Sequence, residues 1–358
     1  MVRAAPPTIS FRDFENRKSE IAAELFKAAS EIGFFYISDH GIPEEDVERA
    51  FAVGKKFLDP LAPARLQWPF NPDSYLGYRG PDELETVTGG YVPLASTCAP
   101  AGPEFRQVAL SFQAQTHEVA IKVLRALWIA LGRDEHEVLE ASCTGCGCLP
   151  LRSGKGKLPP RLHAHADMDV LTILFQRVGD VGLEIAPGAE AENLDIIEDV
   201  GNIWNHVPVA REWTPLDPKP GCLTVNIGDG LTRWTDGTLK STYHRVRAPK
   251  EGDPLNARYS IPYFVNPKLN YVIQGPKKRW GPVTGFDLLS KTGNAYAARR
   301  NSPDKSWQEA AYTDEVADLS VGLDSVNKSL LVKNGVPLSV VSGSADQAVG
   351  SRQPSIKA

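Results

Sequence analysis

The stretch Arg161-Leu-His-Ala-His-Ala-Asp-Met-Asp-Val-Leu-Thr-Ile-Leu-Phe-Gln176 decides how the rest of the chain is read. Its apolar run, Val170 to Phe175, is rich in β-branched and large residues and predicts a strand, in which side chains at i and i+2 share a face. Extended back through the polar end, that alternation points His165 and Asp167 the same way. An imidazole and a carboxylate so placed are two of the three ligands of a 2-His-1-carboxylate triad, which leaves positions on Fe(II) open for oxygen chemistry. His163 and Asp169 fall on the same face and are the alternative pair. The third ligand has to come from elsewhere, and His244, in Ser241-Thr-Tyr-His-Arg-Val-Arg247, is the candidate.

Further along stands Arg258-Tyr-Ser260, followed by the apolar run Ile261 to Val265. Arginine and a hydroxyl on one face of a strand can hold a carboxylate, the guanidinium through paired charge-assisted hydrogen bonds and the serine through one more. That suits the distal carboxylate of a keto-diacid such as 2-oxoglutarate.

The order His165-x-Asp167, His244 and Arg258-x-Ser260 resembles the isopenicillin N synthase-like family of Fe(II)- and 2-oxoglutarate-dependent dioxygenases. Leu171-Thr172, placed at the family's distance from the pair, selects His165 and Asp167 over His163 and Asp169. Val225-Asn-Ile-Gly-Asp229 and Gly33-Phe-Phe-Tyr-Ile-Ser-Asp-His-Gly-Ile42 also resemble the family. The resemblance covers about residues 8 to 295. It implies a mainly β fold, a double-stranded β-helix (jelly roll, cupin-like) with flanking α-helices. The domain runs over 1–295, with a helical and strand part over about 8–140 and the jelly-roll core over about 143–275, and 296–358 forms a C-terminal extension. It implies His165, Asp167 and His244 as metal ligands and catalytic residues, Arg258 and Ser260 as the cosubstrate anchor, and Fe(II), 2-oxoglutarate and O2 as the reactants. The reaction implied is oxidative decarboxylation of 2-oxoglutarate to succinate and CO2, coupled to hydroxylation, desaturation or rearrangement of a small molecule of specialised metabolism. An iron-dependent oxidase that spares 2-oxoglutarate, or a silent binding module on the same scaffold, is the alternative; cosubstrate consumption separates them. Phe264, Tyr91 and Trp204 are candidate substrate contacts. The family's Tyr-Pro pair is replaced by Leu149-Pro-Leu-Arg-Ser-Gly-Lys-Gly-Lys-Leu-Pro-Pro160, so the keto-acid end of the cosubstrate has no assigned partner.

Composition agrees with a small-molecule partner. The 358 residues carry 39 Lys+Arg against 44 Asp+Glu, a formal charge of -5, so nothing suggests a basic face for nucleic acid or anionic lipid. No leader-like apolar segment opens the chain and no window approaches the ~18 apolar residues of a membrane span, so the expectation is a cytoplasmic protein. Cys143, Cys146 and Cys148 lack a fourth ligand at metal-site spacing and read as free thiols. Helices are expected over 16–32 with Gly33 as the stop, from Pro43 to about Phe57, over 105–131 with Gly132 as the stop, and around 135–141. Gly228-Asp-Gly230 reads as a turn, 283–289 as the family's closing helix, about 186–212 as an insertion, and the small polar residues from Ser339 as disordered. His40 reads as a buried structural histidine and His117 as a solvated one.

Overall fold

The Val170–Phe175 run folds in the middle of a sheet because both of its faces are buried. Leu171, Ile173 and Phe175 face one side, and Thr172 with half-buried Leu174 the other. In the computed structural model the described residues are 5–58, 102–141, 144–147, 162–190, 213–253 and 258–288. The chain opens with β1 (Thr8–Ser10), α1 (Lys18–Glu31), β2 (Phe34–Ser38) and α2 (Glu44–Leu58), and continues with α3 (Gly102–Ala130) and α4 (His136–Ala141). Ten strands follow: β3 (Thr144–Gly147), β4 (Leu162–His165), β5 (Leu171–Gln176), β6 (Leu183–Glu190), β7 (Thr214–Pro215), β8 (Cys222–Ile227), β9 (Thr242–Val246), β10 (Ser260–Asn266), β11 (Val272–Ile273) and β12 (Val283–Thr284). One short helix, α5 (Asp229–Trp234), lies between β8 and β9.

From β4 to β10 the chain passes repeatedly between two layers, the topology of a jelly roll. A six-stranded sheet has the order β1-β2-β8-β5-β10-β3 and a four-stranded sheet the order β4-β9-β6-β7. Every pair is antiparallel except β1 with β2. Alternation along the strands sorts the side chains. Phe35, Ile37, Ile173, Phe175, Val225, Ile261 and Val265 pack outward against α1 and α3 through Ile21, Leu25, Val123, Leu124 and Leu127. Phe34, Tyr36 and Leu174 point inward and meet Leu162, Leu183, Ile185 and Val246 of the smaller sheet. The inward face of the larger sheet is otherwise polar near its centre, where Thr172 lies opposite both Asn226 and Phe264, and Gln176 opposite Ser260. Polar groups between two apolar layers need partners or a ligand, and this is where the site sits.

Gly33 ends α1 in the left-handed region, φ +78°, and has no room for a side chain: a Cβ there would lie 2.2 Å from the Lys240 carbonyl oxygen. That close approach seats α1 on the strand carrying His244, because Lys240 N–H donates to Ala29 O and Thr242 Oγ1 to Ile32 O.

Several expectations change. The strand through His165 to Asp167 stops at His165, and residues 166–170 form a corner by which the chain leaves the smaller sheet for the larger. The carbonyls of this corner are taken by the turn after β8: Asp229 N–H donates to Asp167 O at 2.7 Å, Gly230 N–H to Asp169 O at 2.9 Å and Gly228 N–H to Val170 O at 3.0 Å. Gly228-Asp-Gly230 itself opens α5 instead of forming only a turn. Val283 and Thr284 pair with β11, and helical backbone starts only at Gly285, where Thr284 and Asp287 cap each other. His117 is half-buried, with Nδ1 3.1 Å from the Tyr263 hydroxyl of β10, because α3 lies across the sheet there. His40 is buried and its Nδ1 accepts from Ile42 N–H.

Tyr91, Trp204, the segment 149–160, most of the insertion and the tail from Ser339 lie outside the described residues. So do the side chains of His163 and of every cysteine but Cys222, which is free. The chain divides into a unit over Met1–Glu315 and a second over Val316–Ala358, the second wholly outside the described residues. No helix among the described residues is long and apolar enough to cross a membrane.

Candidate metal centre and anion pocket

Strand pairing brings the two histidines together. His165 closes β4 directly opposite His244 of β9, and their rings stand 4.2 Å apart between centroids. His244 lies on β9 between β4 and β6, flanked by Ile185 of β6 and edged by the Phe34 ring at 5.3 Å. Its Nδ1 is 3.3 Å from Thr242 O. A carbonyl only accepts, so Nδ1 carries the proton and the Nε2 lone pair is free to bind a metal.

The corner places Asp167 beside them, with Oδ1 3.4 Å from His165 Nε2 and 3.6 Å from His244 Nε2. One ligand atom from each of the three residues falls within a 4.8 Å cluster. Among the described residues this is the group of His, Cys, Asp and Glu able to hold a metal ion. The other carboxylate oxygen, Oδ2, accepts from Thr172 Oγ1 at 2.5 Å and from Asn226 Nδ2 at 2.8 Å.

Charge states suit the cluster. Burial, helped by the neighbouring His165, pushes the His244 imidazole down to about 4, so it is the free base at neutral pH. Burial alone would raise the Asp167 carboxyl, but the adjoining imidazoles of His244 and His165 and the hydrogen bond from Thr172 outweigh it and hold it well below the usual carboxylate range. An ionised carboxylate and a neutral imidazole are what a divalent cation requires. Asp169, buried and facing Gly228, goes the other way: burial first, then the Asp167 charge, push its carboxyl well above the usual range.

Gly228 makes the corner possible. A Cβ there would meet the Asp169 carbonyl oxygen at 2.3 Å and Oδ1 at 2.4 Å. Gly228→Ala should therefore displace the corner that carries Asp167, lowering stability by about 1–3 kcal/mol, the usual cost of overpacking, and weakening metal binding as well. Thermal melts with and without added Co(II) would check it; an unchanged gain in melting temperature on adding Co(II) would mean the corner tolerates the extra atom.

Asp229 is a second buried acid behind the site. Burial pushes its carboxyl up to about 7, the Asp167 charge adding to the rise and Ser241 opposing it. A carboxyl raised on folding contributes stability that is complete below its unfolded value and is lost as pH rises through the folded one. Asp229→Asn removes that loss, so in metal-free protein the stability of the variant relative to the native chain should grow by roughly 2–3 kcal/mol between pH 5 and pH 8. The depressed His244 contributes the opposite slope, but equally in both proteins, and cancels from the difference. Urea melts at the two pH values would test this; a constant difference would show that Asp229 is not protonated in the fold.

Arg258 and Ser260 stand on the inward face at the start of β10, both buried, with Arg258 Nη1 donating to Ser260 Oγ at 3.2 Å and Nε to Asp180 O at 3.4 Å. Phe264 is half-buried on the same face and stands opposite Thr172. Sequence reasoning passed over Gln176, Thr172 and Asn226 as site residues. Gln176 pairs with Ser260 across β5 and β10; its Oε1 accepts from Thr224 Oγ1, and its Nε2 has no hydrogen-bond partner among the described residues. Counting alternate residues back from Phe264 and across the register would have found it, once the pairing of β5 with β10 was known.

The geometry agrees with comparisons to known proteins. Residues 148–267 match the family model of the 2OG-Fe(II) oxygenase superfamily, and residues 6–91 match the non-haem dioxygenase in morphine synthesis N-terminal model. The 2-oxoglutarate-dependent dioxygenase traH of Penicillium crustosum is 25% identical over 302 residues, covering 72% of this chain and 83% of its own. A bifunctional coumaroyl-CoA and feruloyl-CoA ortho-hydroxylase of Ipomoea batatas is 29% identical over 289 residues, 75% of this chain and 72% of its own. Among solved structures, a full-length Neurospora crassa protein in complex with alpha-KG and thymine superposes with a TM-score of 0.63 at 21% identity, covering 82% of this chain and 97% of that one. The dioxygenase for auxin oxidation 1 of Arabidopsis thaliana, in its 2-oxoglutarate complex, gives a TM-score of 0.63 at 19% identity, covering 77% and 98%. At such identities the structural likenesses speak for the jelly-roll fold, and the two family models together span more than half of the sequence. On these grounds the chain belongs to the 2OG-Fe(II) oxygenase superfamily.

Proposed function

We propose that His165, Asp167 and His244 hold Fe(II), that Arg258 and Ser260 anchor the distal carboxylate of 2-oxoglutarate, and that the substrate is a small molecule of specialised metabolism. As a member of its superfamily the protein is a non-haem Fe(II)- and 2-oxoglutarate-dependent oxygenase, releasing succinate and CO2. The observation that carries the residue assignment is the convergence of three ligand atoms of the right charge at the junction of the two sheets. The bound metal supplies oxygen activation. The protein's own groups do the rest: the strands fix the two imidazoles, the corner presents the carboxylate, and the buried guanidinium and hydroxyl set the register of the cosubstrate.

Phe264, level with Thr172 on the inward face, is proposed to line the substrate side of the centre. Relatives that include a fungal 2-oxoglutarate-dependent dioxygenase and a plant hydroxylase of acyl-CoA thioesters support the small-molecule reading, as does the formal charge of -5. A catalytic domain over 1–295 in the cytoplasm is part of the same proposal.

The direct test is anaerobic. Fe(II) followed by 2-oxoglutarate should produce a visible metal-to-ligand charge-transfer band in metal-free protein. Iron binding without a band would move the reading to an oxidase that does not chelate the keto-acid, and absence of iron binding would overturn the triad.

A further inference from the structure

Asp167 is the one member of the cluster that no strand holds. Both histidines sit in paired strands, whereas the carboxylate stands in the corner between sheets. Two side chains of the opposite sheet reach its Oδ2: Thr172 Oγ1 from β5 at 2.5 Å and Asn226 Nδ2 from β8 at 2.8 Å. Thr172 and Asn226 are themselves direct cross-strand partners on the inward face, and both are buried. Two good donors to one oxygen occupy its lone pairs, while Oδ1 is the oxygen that faces His165 and His244.

From this we infer that Thr172 and Asn226 are positioning residues that reserve Oδ2 for hydrogen bonding and restrict Asp167 to a single metal-binding oxygen. The inference rests on the triad proposed above. A chelating carboxylate would take a further position on the metal, one that the bidentate keto-acid and O2 need. The Thr172–Asn226 pair keeps it open, and it also holds the ionised carboxylate in place before metal arrives. Both side chains bond to the Asp167 oxygen Oδ2, so each acts through Asp167.

Co(II) is the probe, because its visible spectrum reports coordination number and its binding needs no turnover. Titration of metal-free native protein, Thr172→Val, Thr172→Ser and Asn226→Ala gives affinity and band shape for each, with thermal melts of the metal-free proteins as the control for folding. Loss of either donor should weaken Co(II) binding by about 10- to 100-fold, the range usual for groups that orient metal ligands, and alter the band toward higher coordination number. Thr172→Ser, which keeps the hydroxyl, should restore affinity and spectrum to near native values. If the native protein binds Co(II) and both Thr172→Val and Asn226→Ala bind it with native affinity and spectrum, the positioning role is wrong and the triad stands. If affinity falls but Thr172→Ser falls as far as Thr172→Val, the effect is packing and the inference is likewise overturned. A native protein that fails to bind Co(II) or Fe(II) sinks the triad itself, and the inference with it.

Discussion

Asp167→Ala protein is expected to bind no Fe(II) at concentrations that saturate the native chain, and to form no succinate. Two neutral imidazoles alone provide neither the charge nor the third facial position that hold a hard divalent ion. The side chain removed is buried, and its loss leaves the Asn226 amide without its acceptor, at about 1–3 kcal/mol, while the Thr172 hydroxyl keeps Asp169 Oδ2 at 3.1 Å. Against this, a buried negative charge disappears, so the variant should still fold. Asp167→Asn separates the contributions, since it keeps the shape, can still accept from one donor and lacks the charge. His244→Ala should lose metal equally. In the native protein, proton competition at His244 should begin only as pH approaches about 4, because the imidazole is already held neutral by burial. Calorimetric titration with Fe(II) under anaerobic conditions decides the matter, and native affinity in either alanine variant would remove that residue from the metal site.

Arg258→Ala should raise the 2-oxoglutarate concentration required for half-maximal turnover by 30-fold or more, while Fe(II) affinity stays native. Truncating one partner of a buried, hydrogen-bonded charge pair costs about 2–5 kcal/mol. The Arg258 guanidinium is buried, braced by the Asp180 carbonyl and donating to Ser260, so its direction is set before any ligand binds. Arg258→Lys should fall between the two, keeping the charge but losing the planar fork. Ser260→Ala should have a smaller effect, because a neutral hydroxyl is lost and not a charge. Turnover measured against 2-oxoglutarate concentration, together with the charge-transfer band at limiting cosubstrate, reads both quantities; a native requirement in Arg258→Ala would place the anchor elsewhere.

Much of the fold can be read locally. The stops at Gly33 and Gly132, both with positive φ, follow from glycine's access to the left-handed region. The run Val170 to Phe175 reads as a strand because nothing but a two-sided core would bury it. The corner at 166–170 reads wrongly for the same reason in reverse. Alternation across His165, Asp167 and Asp169 looks like continued strand, and only the N–H groups at 228–230, some sixty residues on, turn the chain there. The half-burial of His117 likewise depends on what α3 lies against, and no pattern within the helix encodes it.

The residue types and their order along the chain were determined by sequence alone: two imidazoles, a carboxylate, and a guanidinium two residues before a hydroxyl on one strand face. The resemblance selects Asp167 over Asp169; the physical ground for that choice lies in the tertiary structure. Asp167 and Asp169 are the same side chain two residues apart. Asn226 and the shorter of two Thr172 hydrogen bonds hold one beside His165 and His244 as an ionised group, while the other is packed against Gly228, where burial and the Asp167 charge push its carboxyl well above the usual range. A carboxyl's charge is set by the donors and the dielectric around it, and those come from strands that meet only when the two sheets close.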